Sequence, residues 1–475
     1  MNQQHIENKA CYYYSKEVLK QGSISERIDL CELDGEMYDL IGLSDEFKEI
    51  YMPTSGGTTI FFSKATIDSS KIIIDKNTKP EIIGKSQIKA DYSSFVGNKT
   101  VLAIKINAAD TNTTSDADRI SNKLFGTSGD SVNLKSQISE CSMNQLNFLP
   151  FNGTTPNGEI ILNGVGSVDL PFDLKNKFDK NQQRYINKIL NAIRQKYGNL
   201  KGDVDHLLLI LPKRATKDVA FAYLNWWISY YDDDHVLYPS VTMHEIAHNM
   251  GFDHSSYKGR EYGDRTGVLG FGNLRGGDKK CFNAVKSWDL GWYAEGHYIV
   301  DPFLNSFDGQ IVGLANFDQR EERYVILKIV GHNDEKDYYV AFNRRDGMNE
   351  GSTQHKDRVI ITSKKSSDKV GFLSYKEVAL YSGEFYTIEK FGGDSSTLFI
   401  EVKDISQDSS PAYADISIFL RDDQASKRQV DKMVKKKKKS KKKKKKNKKK
   451  EKKANKKRRK LGSAIRILTQ MKVNA

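Results

Sequence analysis

The sequence predicts an α+β protein, and three observations support this fold class. Between residues 101 and 254, apolar runs typical of strands alternate with amphipathic helical segments. Between residues 298 and 421, short β-type runs are separated by turn-rich stretches. Beyond residue 421 the composition becomes lysine-rich, with too few apolar residues to form a core. The 475 residues are enough for two or three domains.

Four regions follow from these changes in pattern. Residues 1–95 contain strand-like runs and turn signals, and form either a small β-rich domain or a prosegment. Residues 96–297 are predicted to combine a twisted mixed sheet with a helix that carries the functional residues. Residues 298–421 form a β-sandwich-like domain, whose simplest role is packing or binding. Residues 422–475 form a disordered basic tail.

The elements of the second region can be placed one by one. Strands are predicted at 101–107, 132–141, 158–164, 206–212 and 219–225, and helices at 116–126 and 179–197. A glycine follows each of the two helices as its stop signal. The run at 219–225 is expected to be an edge strand, which an extended peptide could join by strand addition. A third helix begins at about residue 240, with Ser240 as its N-cap.

The third helix contains the main functional signal, the stretch HEIAHNMGFDH that begins at His244. His244 and His248 lie one turn apart, so both imidazoles can reach one metal ion. Gly251 allows the helix to end in a left-handed turn, after which His254 returns as a third nitrogen ligand. Three protein ligands leave a fourth position open, as a catalytic zinc ion requires. Glu245 lies beside the first ligand, where a carboxylate can act as a general base.

This pattern is specific. With 9 His and 35 Gly in the chain, its five fixed positions coincide by chance on the order of once in 10⁵ such chains. Other polar residues nearby, namely His235, His297 and the run Asp232–Asp234, are more simply explained by a solvated loop than by a second metal site.

The histidine pattern resembles the metzincin clan of zinc endopeptidases. Three further stretches are similar to the gametolysin family of cell-wall-degrading peptidases: EYGDRTGVLGFG at 261–272, CFNAVKSWDLGWY at 281–293, and AFAYLN with WWISYYDD just before the zinc helix. The resemblance covers roughly residues 95–300 well and 300–420 loosely, and it does not reach the tail.

The resemblance implies a metzincin-like catalytic domain with one catalytic Zn²⁺, held by His244, His248 and His254, and with Glu245 as the general base. It also implies protein or glycoprotein substrates in a cell wall or extracellular matrix, and hence secretion. Two positions depart from the clan. Leu269 stands where metzincins carry the methionine of a tight turn, and Leu is close to Met in volume. Phe271 stands where some members carry a tyrosine, so it contributes no hydroxyl to catalysis.

Two alternatives stay open at the level of sequence. The chain could be a weak or inactive peptidase homologue that binds polyanions, and Leu269 and Phe271 are the features that favour this reading. It could also be an intracellular or nuclear protease, because KKRRK at 456–460 fits a basic import signal and residues 1–21 lack the apolar segment of a signal peptide. An incomplete N-terminus would explain the same absence. No pattern indicates an oligomeric state.

Cysteines and glycosylation sequons are the remaining compartment signals. Cys11, Cys31, Cys141 and Cys281 allow two disulfides in three connectivities, among which the sequence does not choose. Cys11 or Cys31 could instead block the zinc as a prosegment latch, although neither lies in a latch motif. Sequons at Asn98, Asn112 and Asn152 are consistent with secretion. No segment approaches the 18 apolar residues of a membrane span.

The charge is distributed unevenly along the chain. Residues 427–475 contain 26 Lys and Arg against two acidic residues, a net charge of +24, so the rest of the chain carries −10 of the total of +14. Such a tail is predicted to bind a polyanion, which could be an acidic polysaccharide, a nucleic acid, an acidic protein or an anionic membrane surface. A solvated extension without a dedicated partner is the alternative.

We expect removal of 427–475 to weaken heparin binding and to leave catalysis intact. The binding lost on truncation should fall steeply with salt, because it arises from counterion release. Heparin-column elution of the full-length and truncated chains measures this. Equal elution of the two forms would show that the tail does not bind polyanions.

Overall fold

A computed structural model gives the structure of the protein. It describes residues 4–20, 25–45, 47–48, 55–75, 78–85, 92–270, 279–332, 336–368, 370–393 and 395–422. The predicted tail lies outside the described residues except for its first residue, and Phe271 also lies outside them.

Five α-helices have both ends within the described part of the chain: α1 (Ala117–Phe125), α2 (Leu134–Cys141), α3 (Gln182–Tyr197), α4 (Pro239–Asn249) and α5 (Ala284–Leu290). Helices α1 and α3 confirm the two amphipathic patterns. Gly126 and Gly198 follow them as predicted, with φ of 75° and 83°, in the left-handed region that glycine enters without strain.

The prediction of a strand at 132–141 is wrong, because this segment forms α2. Its start is fixed by a capping box: the Asn133 side chain accepts from the Ser136 N–H at 2.8 Å, and the Ser136 hydroxyl accepts from the Asn133 N–H at 3.1 Å. Leu134 and Ile138 then face the core one turn apart. The alternation of apolar and polar residues suggested a strand, but the cap signal decides for a helix.

Strands make up most of the remaining described residues. The first region contains β1 (Gln4–Lys20), β2 (Ser25–Leu33), β3 (Glu36–Ile41), β4 (Thr58–Asp68), β5 (Lys71–Ile74) and β6 (Glu81–Lys85). The second contains β7 (Gly97–Asn107), β8 (Leu146–Pro150), β9 (Gly153–Thr154), β10 (Ile160–Ile161), β11 (Val165–Asp169), β12 (His206–Leu211), β13 (Asp218–Tyr223), β14 (Ile228–Asp232) and β15 (Ser255–Ser256). The third contains β16 (His297–Val300), β17 (Phe307–Val312), β18 (Ile326–Ile329), β19 (Lys336–Asn343), β20 (Arg358–Lys365), β21 (Ser374–Leu380), β22 (Glu384–Ile388), β23 (Ser396–Ser406) and β24 (Tyr413–Asp422).

The mixed sheet of the second region has the strand order β11-β7-β12-β14-β13, and β8 also pairs with β7. All its pairings are parallel except that of β13 with β14. Helices cover both faces. Ile104 and Leu209 pack in one core with α3, whereas Ala103 and Leu208 pack in the other core with α1, α2 and α4. Central strands are therefore apolar on both faces, as a parallel sheet requires.

Strand β13 is not the edge strand that the sequence predicted. Strand β1 pairs with it antiparallel, through five residue pairs from Lys16 opposite Tyr223 to Lys20 opposite Asp218. The sequence could not show this, because about 200 residues separate the covering strand from the strand it covers.

The first region forms a closed barrel of five strands in the order β1-β2-β3-β5-β4, in which β4 pairs back with β1. Only β3 and β5 run parallel. The barrel has a core of its own, which includes Tyr13, Ile60 and Phe62. A disulfide between Cys11 and Cys31 joins β1 to β2 within this core, so neither cysteine is a free thiol for a zinc latch. The second disulfide joins Cys141 at the end of α2 to Cys281.

The strand-rich character of the third region is confirmed. Its strands form a six-stranded sheet in the order β15-β21-β20-β19-β18-β16 and a four-stranded sheet in the order β17-β24-β23-β22. The first of these sheets begins with β15, which immediately follows His254 in the second region.

The chain divides into two compact units, Met1–Tyr386 with Ile400–Ile418, and Thr387–Phe399 with Phe419–Ala475. In the second unit the rings of Phe399 and Phe419 stack with centroids 5.3 Å apart, and Arg421 lies 4.7 Å from the Phe419 centroid. Among the described residues, no helix is both long and apolar enough to span a membrane.

We expect Asn133→Ala to lower the free energy of unfolding by about 1–2 kcal/mol, because the first turn of α2 loses its side-chain acceptor. Urea unfolding measures the loss. Glu140→Ala, at an exposed position of the same helix, is the matched control and should change stability by less than about 0.5 kcal/mol. Similar losses in both variants would contradict the capping role.

Candidate metal centre

Helix α4 places the first two predicted ligands. It begins at Pro239, with Tyr238 as the N-cap residue, so the assignment of Ser240 as N-cap is wrong. The N–H groups in the first turn of a helix have no acceptor within the helix, so a proline there costs no hydrogen bond. Pro239 therefore fixes the start of the helix in place of a polar cap. Every residue of α4 is buried. His244 and His248 lie one turn apart on it, with ring centroids separated by 4.7 Å.

Gly251 returns the chain towards the helix. It has a φ of +86°, and a Cβ at this position would lie 2.2 Å from Oδ1 of Asn225. Only glycine fits, both for conformation and for space. The turn brings His254 to the first two histidines, with ring centroids 5.3 Å from His244 and 4.7 Å from His248.

Each of the three imidazoles is held through its Nδ1 atom. His244 Nδ1 donates to the Val268 carbonyl at 2.8 Å, and His248 Nδ1 donates to the Phe252 carbonyl at 2.7 Å. His254 Nδ1 donates to Oε1 of Glu261 at 2.8 Å. Because these partners are acceptors, the proton of each neutral ring lies on Nδ1 and Nε2 keeps a lone pair. Hydrogen bonds of this kind from Nδ1 fix the ring orientation of histidines that bind a metal through Nε2.

The three Nε2 atoms converge. The ligand atoms of the triad lie within 4.8 Å of one another, and the Nε2 atoms of His248 and His254 are 3.1 Å apart. Nitrogens bound to one zinc ion at 2.0–2.1 Å are roughly 3.3 Å apart. His244 Nε2 is buried and has no hydrogen-bond partner among the described residues. Lone pairs that face one another, and a buried nitrogen without a partner, fit a site that binds a cation.

The electrostatics of the site favour neutral rings. Burial, together with the neighbouring His254, lowers the pKa of His244 to about 3 and holds the pKa of His248 well below its ordinary value. Both rings are therefore unprotonated at neutral pH, the form that binds metal.

The other predicted site residues lie close to the triad in sequence or through the backbone. Glu245 follows His244 on α4 and is 1% exposed. Leu269 is buried in the core, and its carbonyl accepts from the Ser255 N–H at 3.0 Å, next to His254. The Leu269 position therefore supports the centre through backbone contacts that do not depend on its side chain. Phe271 lies outside the described residues.

Sequence reasoning missed three residues around His254. Besides Glu261, these are Asp253, whose Oδ1 accepts from the His254 N–H at 2.6 Å, and Arg27 of the barrel, which forms an ion pair with Asp253 at 2.8 Å. Burial raises the pKa of Asp253, but the Arg27 guanidinium and other nearby cationic groups outweigh it and hold that pKa below its usual value. Glu261 could have been found from the sequence, because it follows the predicted ligand His254 by seven residues. No signal in the sequence points to Arg27.

The third region also supports His254. The Ser374 N–H at the start of β21 donates to the His254 carbonyl at 3.2 Å, and β15 then pairs with β21. Two residues further along, Lys376 forms a fully buried ion pair with Asp264 at 3.2 Å. The region predicted to be a packing or binding module is thus part of the scaffold of the metal centre.

The remaining polar residues considered in the sequence, Asp232–Asp234, His235 and His297, are at least partly buried and do not belong to the histidine triad. Asp233 is buried and accepts from the N–H and hydroxyl of Thr114 at 2.8 and 2.7 Å. His235 Nδ1 lies 2.8 Å from the Asp232 carbonyl. Burial, together with nearby carboxylates, raises the pKa of Asp232 to about 7. The ring of His297 stacks on Trp288, with centroids 4.1 Å apart.

Fold and site together define an α+β protein with a buried three-histidine centre of the kind found in metal-dependent hydrolases. Residues 99–302 match the model of the gametolysin peptidase M11 family, which confirms the resemblance predicted from the sequence and supports a peptidase. The chain is also similar to an autolysin from Chlamydomonas reinhardtii, at 42% identity over 52 residues. That alignment covers 11% of this chain and 8% of the autolysin, and no solved structure matches the chain.

We expect Glu261→Ala to weaken zinc binding by about 10- to 100-fold, because His254 loses the carboxylate that orients its ring. Competition with a chelator of known affinity measures the change. Glu159→Ala removes an exposed carboxylate elsewhere in the same region and should leave the affinity unchanged. Equal affinity in the two variants would show that Glu261 does not support the ligand.

Proposed function

We propose that this protein is a zinc-dependent endopeptidase with a metzincin-like catalytic domain. The observation that carries the proposal is the convergence of three Nε2 atoms whose Nδ1 protons are all committed to fixed acceptors. His244, His248 and His254 would hold one Zn²⁺, which leaves a coordination position free for the reaction. The match to gametolysin peptidases supports hydrolysis of peptide bonds.

In the proposed reaction the histidines and Glu245 have different roles. A bound zinc ion supplies Lewis acidity, which polarises the scissile carbonyl and lowers the pKa of an attacking water. The three histidines would fix the position of the zinc ion in the site. Glu245 accepts the proton of the attacking water on its carboxylate and passes it to the leaving amine. Leu269 and Phe271 contribute no polar group, so stabilisation of the developing charge comes from elsewhere in the site.

For substrate and location, we propose cell-wall or extracellular-matrix glycoproteins outside the cell. Two disulfides are typical of an oxidising compartment. The sequon residues Asn98, Asn112 and Asn152 are all exposed, as glycosylation requires. The relative's printed name, autolysin, is compatible with action on a cell's own wall. The basic tail would hold the enzyme on a polyanionic surface such as an acidic polysaccharide.

The alternative is an inactive homologue that binds polyanions, and an active-site variant distinguishes the two. We expect the purified chain to bind about one zinc ion and to cleave denatured casein, and Glu245→Ala to keep the zinc while cleavage falls by about 10²- to 10⁴-fold. Zinc content is measured by atomic spectroscopy and cleavage by release of labelled peptides.

Glu140→Ala makes the same chemical change on the exposed side of α2 and should behave as wild type. One zinc per chain with no cleavage, including after displacement of the N-terminal barrel, would favour the binding protein instead.

A further inference from the structure

A short segment of the third region, residues 371–374, runs along the turn that carries the third histidine. At the start of this segment, the Asp253 N–H donates to the Gly371 carbonyl at 2.7 Å. A Cβ at Gly371 would lie 2.4 Å from the Gly251 carbonyl oxygen, and the φ of Gly371 is +87°. Both the close approach and the left-handed backbone require glycine. The segment is therefore packed tightly against the turn that leads to His254.

At its end the segment enters β21 and pairs with the residues that follow the third histidine. The Ser374 N–H donates to the His254 carbonyl at 3.2 Å, and Ser374 is paired in parallel with Ser255. The Oγ atoms of the two serines are 3.0 Å apart, so both side chains lie on one face. Successive residues of a strand point to opposite faces. His254 and Leu373, each one residue earlier, therefore share the other face, which is the face of the metal centre.

Buried polar groups fix the segment in this position. The Gly371 N–H donates to Oδ2 of Asp289 at 2.9 Å, and Asp289 forms a buried ion pair with Lys364 at 2.7 Å. Lys286 Nζ donates to the Gly371 carbonyl at 2.8 Å. These contacts satisfy the backbone of a segment that is neither helix nor strand. The position of Leu373 is therefore set by the protein itself, as a preorganised binding site requires.

Leu373 differs from the ligand beside it in its contact with solvent. The side chain of Leu373 is half-buried, whereas His254 is fully buried. An apolar side chain that borders solvent next to a reactive centre can bind an apolar group of a ligand, because both surfaces then leave water. A charged group placed against the same leucine would lose hydration and gain no hydrogen bond from it. Leu373 lies outside the residues 99–302 that match the gametolysin peptidases.

We propose that Leu373 forms one wall of a subsite for an apolar substrate side chain beside the metal centre. The third region then selects the substrate as well as supporting the third histidine. The substrate class is a polypeptide with an aliphatic or aromatic residue next to the scissile bond. This inference rests on the proposed peptidase function and adds a sequence preference to it.

A change of selectivity tests the subsite. Quenched fluorescent peptides carry leucine, alanine or arginine in turn at each of the two positions that flank the scissile bond, which mass spectrometry locates. We expect wild type to prefer leucine at one of these positions. Leu373→Ala should lower the ratio of kcat/KM for leucine over alanine at that position by about tenfold, because the subsite loses part of its apolar wall.

Leu304→Ala is the matched control. It makes the same change in the third region at a position that is 75% exposed, and it should keep the wild-type ratio. A purely structural role of Leu373 would lower kcat/KM for all peptides by the same factor. An unchanged ratio in Leu373→Ala, with zinc still bound, would therefore overturn the proposal.

A charged substitution gives the subsite a new preference. Leu373→Glu places a carboxylate on the wall, so the ratio of kcat/KM for the arginine peptide over the leucine peptide should rise above the wild-type ratio. Loss of folding cannot produce such a gain. Leu304→Glu introduces the same charge at the exposed control position and should leave the ratio unchanged. Equal ratios in the two glutamate variants would contradict the assignment of Leu373 to the subsite.

Binding measurements separate this proposal from a failure of the peptidase function. The same peptides, labelled for fluorescence anisotropy, are bound to Glu245→Ala with and without Leu373→Ala. If no variant cleaves but Leu373→Ala weakens binding of the leucine peptide relative to the alanine peptide, the hydrolytic assignment fails and the subsite stands. If neither the cleavage ratio nor the binding ratio responds to Leu373, the subsite is wrong whatever the catalytic result.

Discussion

The whole arrangement depends on bringing His254 to two histidines that a single helix already aligns. His244 and His248 need only the geometry of α4, but His254 lies beyond the helix end and has to be fixed by the rest of the chain. Gly251 sets the path, Glu261 sets the ring, and β15 ties the following residues to β21. Ordering a side chain and its loop costs conformational entropy, and the distributed contacts offset that cost.

The constraint explains why regions that are distant in sequence meet at this point. The third region contributes the strand that pairs with β15 and the buried Lys376 opposite Asp264. The first region contributes Arg27, which holds Asp253. A buried ion pair adds little stability on balance, but the loss of one partner leaves the other charged group uncompensated. Both contacts therefore tie the metal centre to the folding of segments outside the matched residues 99–302.

The sequence was sufficient for local features and insufficient for long-range ones. Local signals located the three histidines and Gly251 by their spacing, and helices α1 and α3 by their amphipathic pattern and the glycine that follows each of them. In the sequence, only Asn133 and Ser136, which form the capping box, indicate that α2 is a helix. The alternation of apolar and polar residues in the same segment favours a strand instead. The cover on β13, the Cys141–Cys281 disulfide and the approach of Arg27 depend on contacts between residues 140 to 226 positions apart, which no local pattern records.

The disulfide between Cys141 and Cys281 has a consequence for the response of the chain to proteolytic cleavage. The two cysteines lie 140 positions apart, and the loop between them includes the sheet strands β11–β14, helix α4 and all three histidines. A single nick in any exposed turn of this loop leaves the two fragments covalently attached, and the apolar cores on either side of the sheet hold them in register. A chain cut once within this loop would therefore keep its fold, and the two fragments would separate only after the disulfide is reduced.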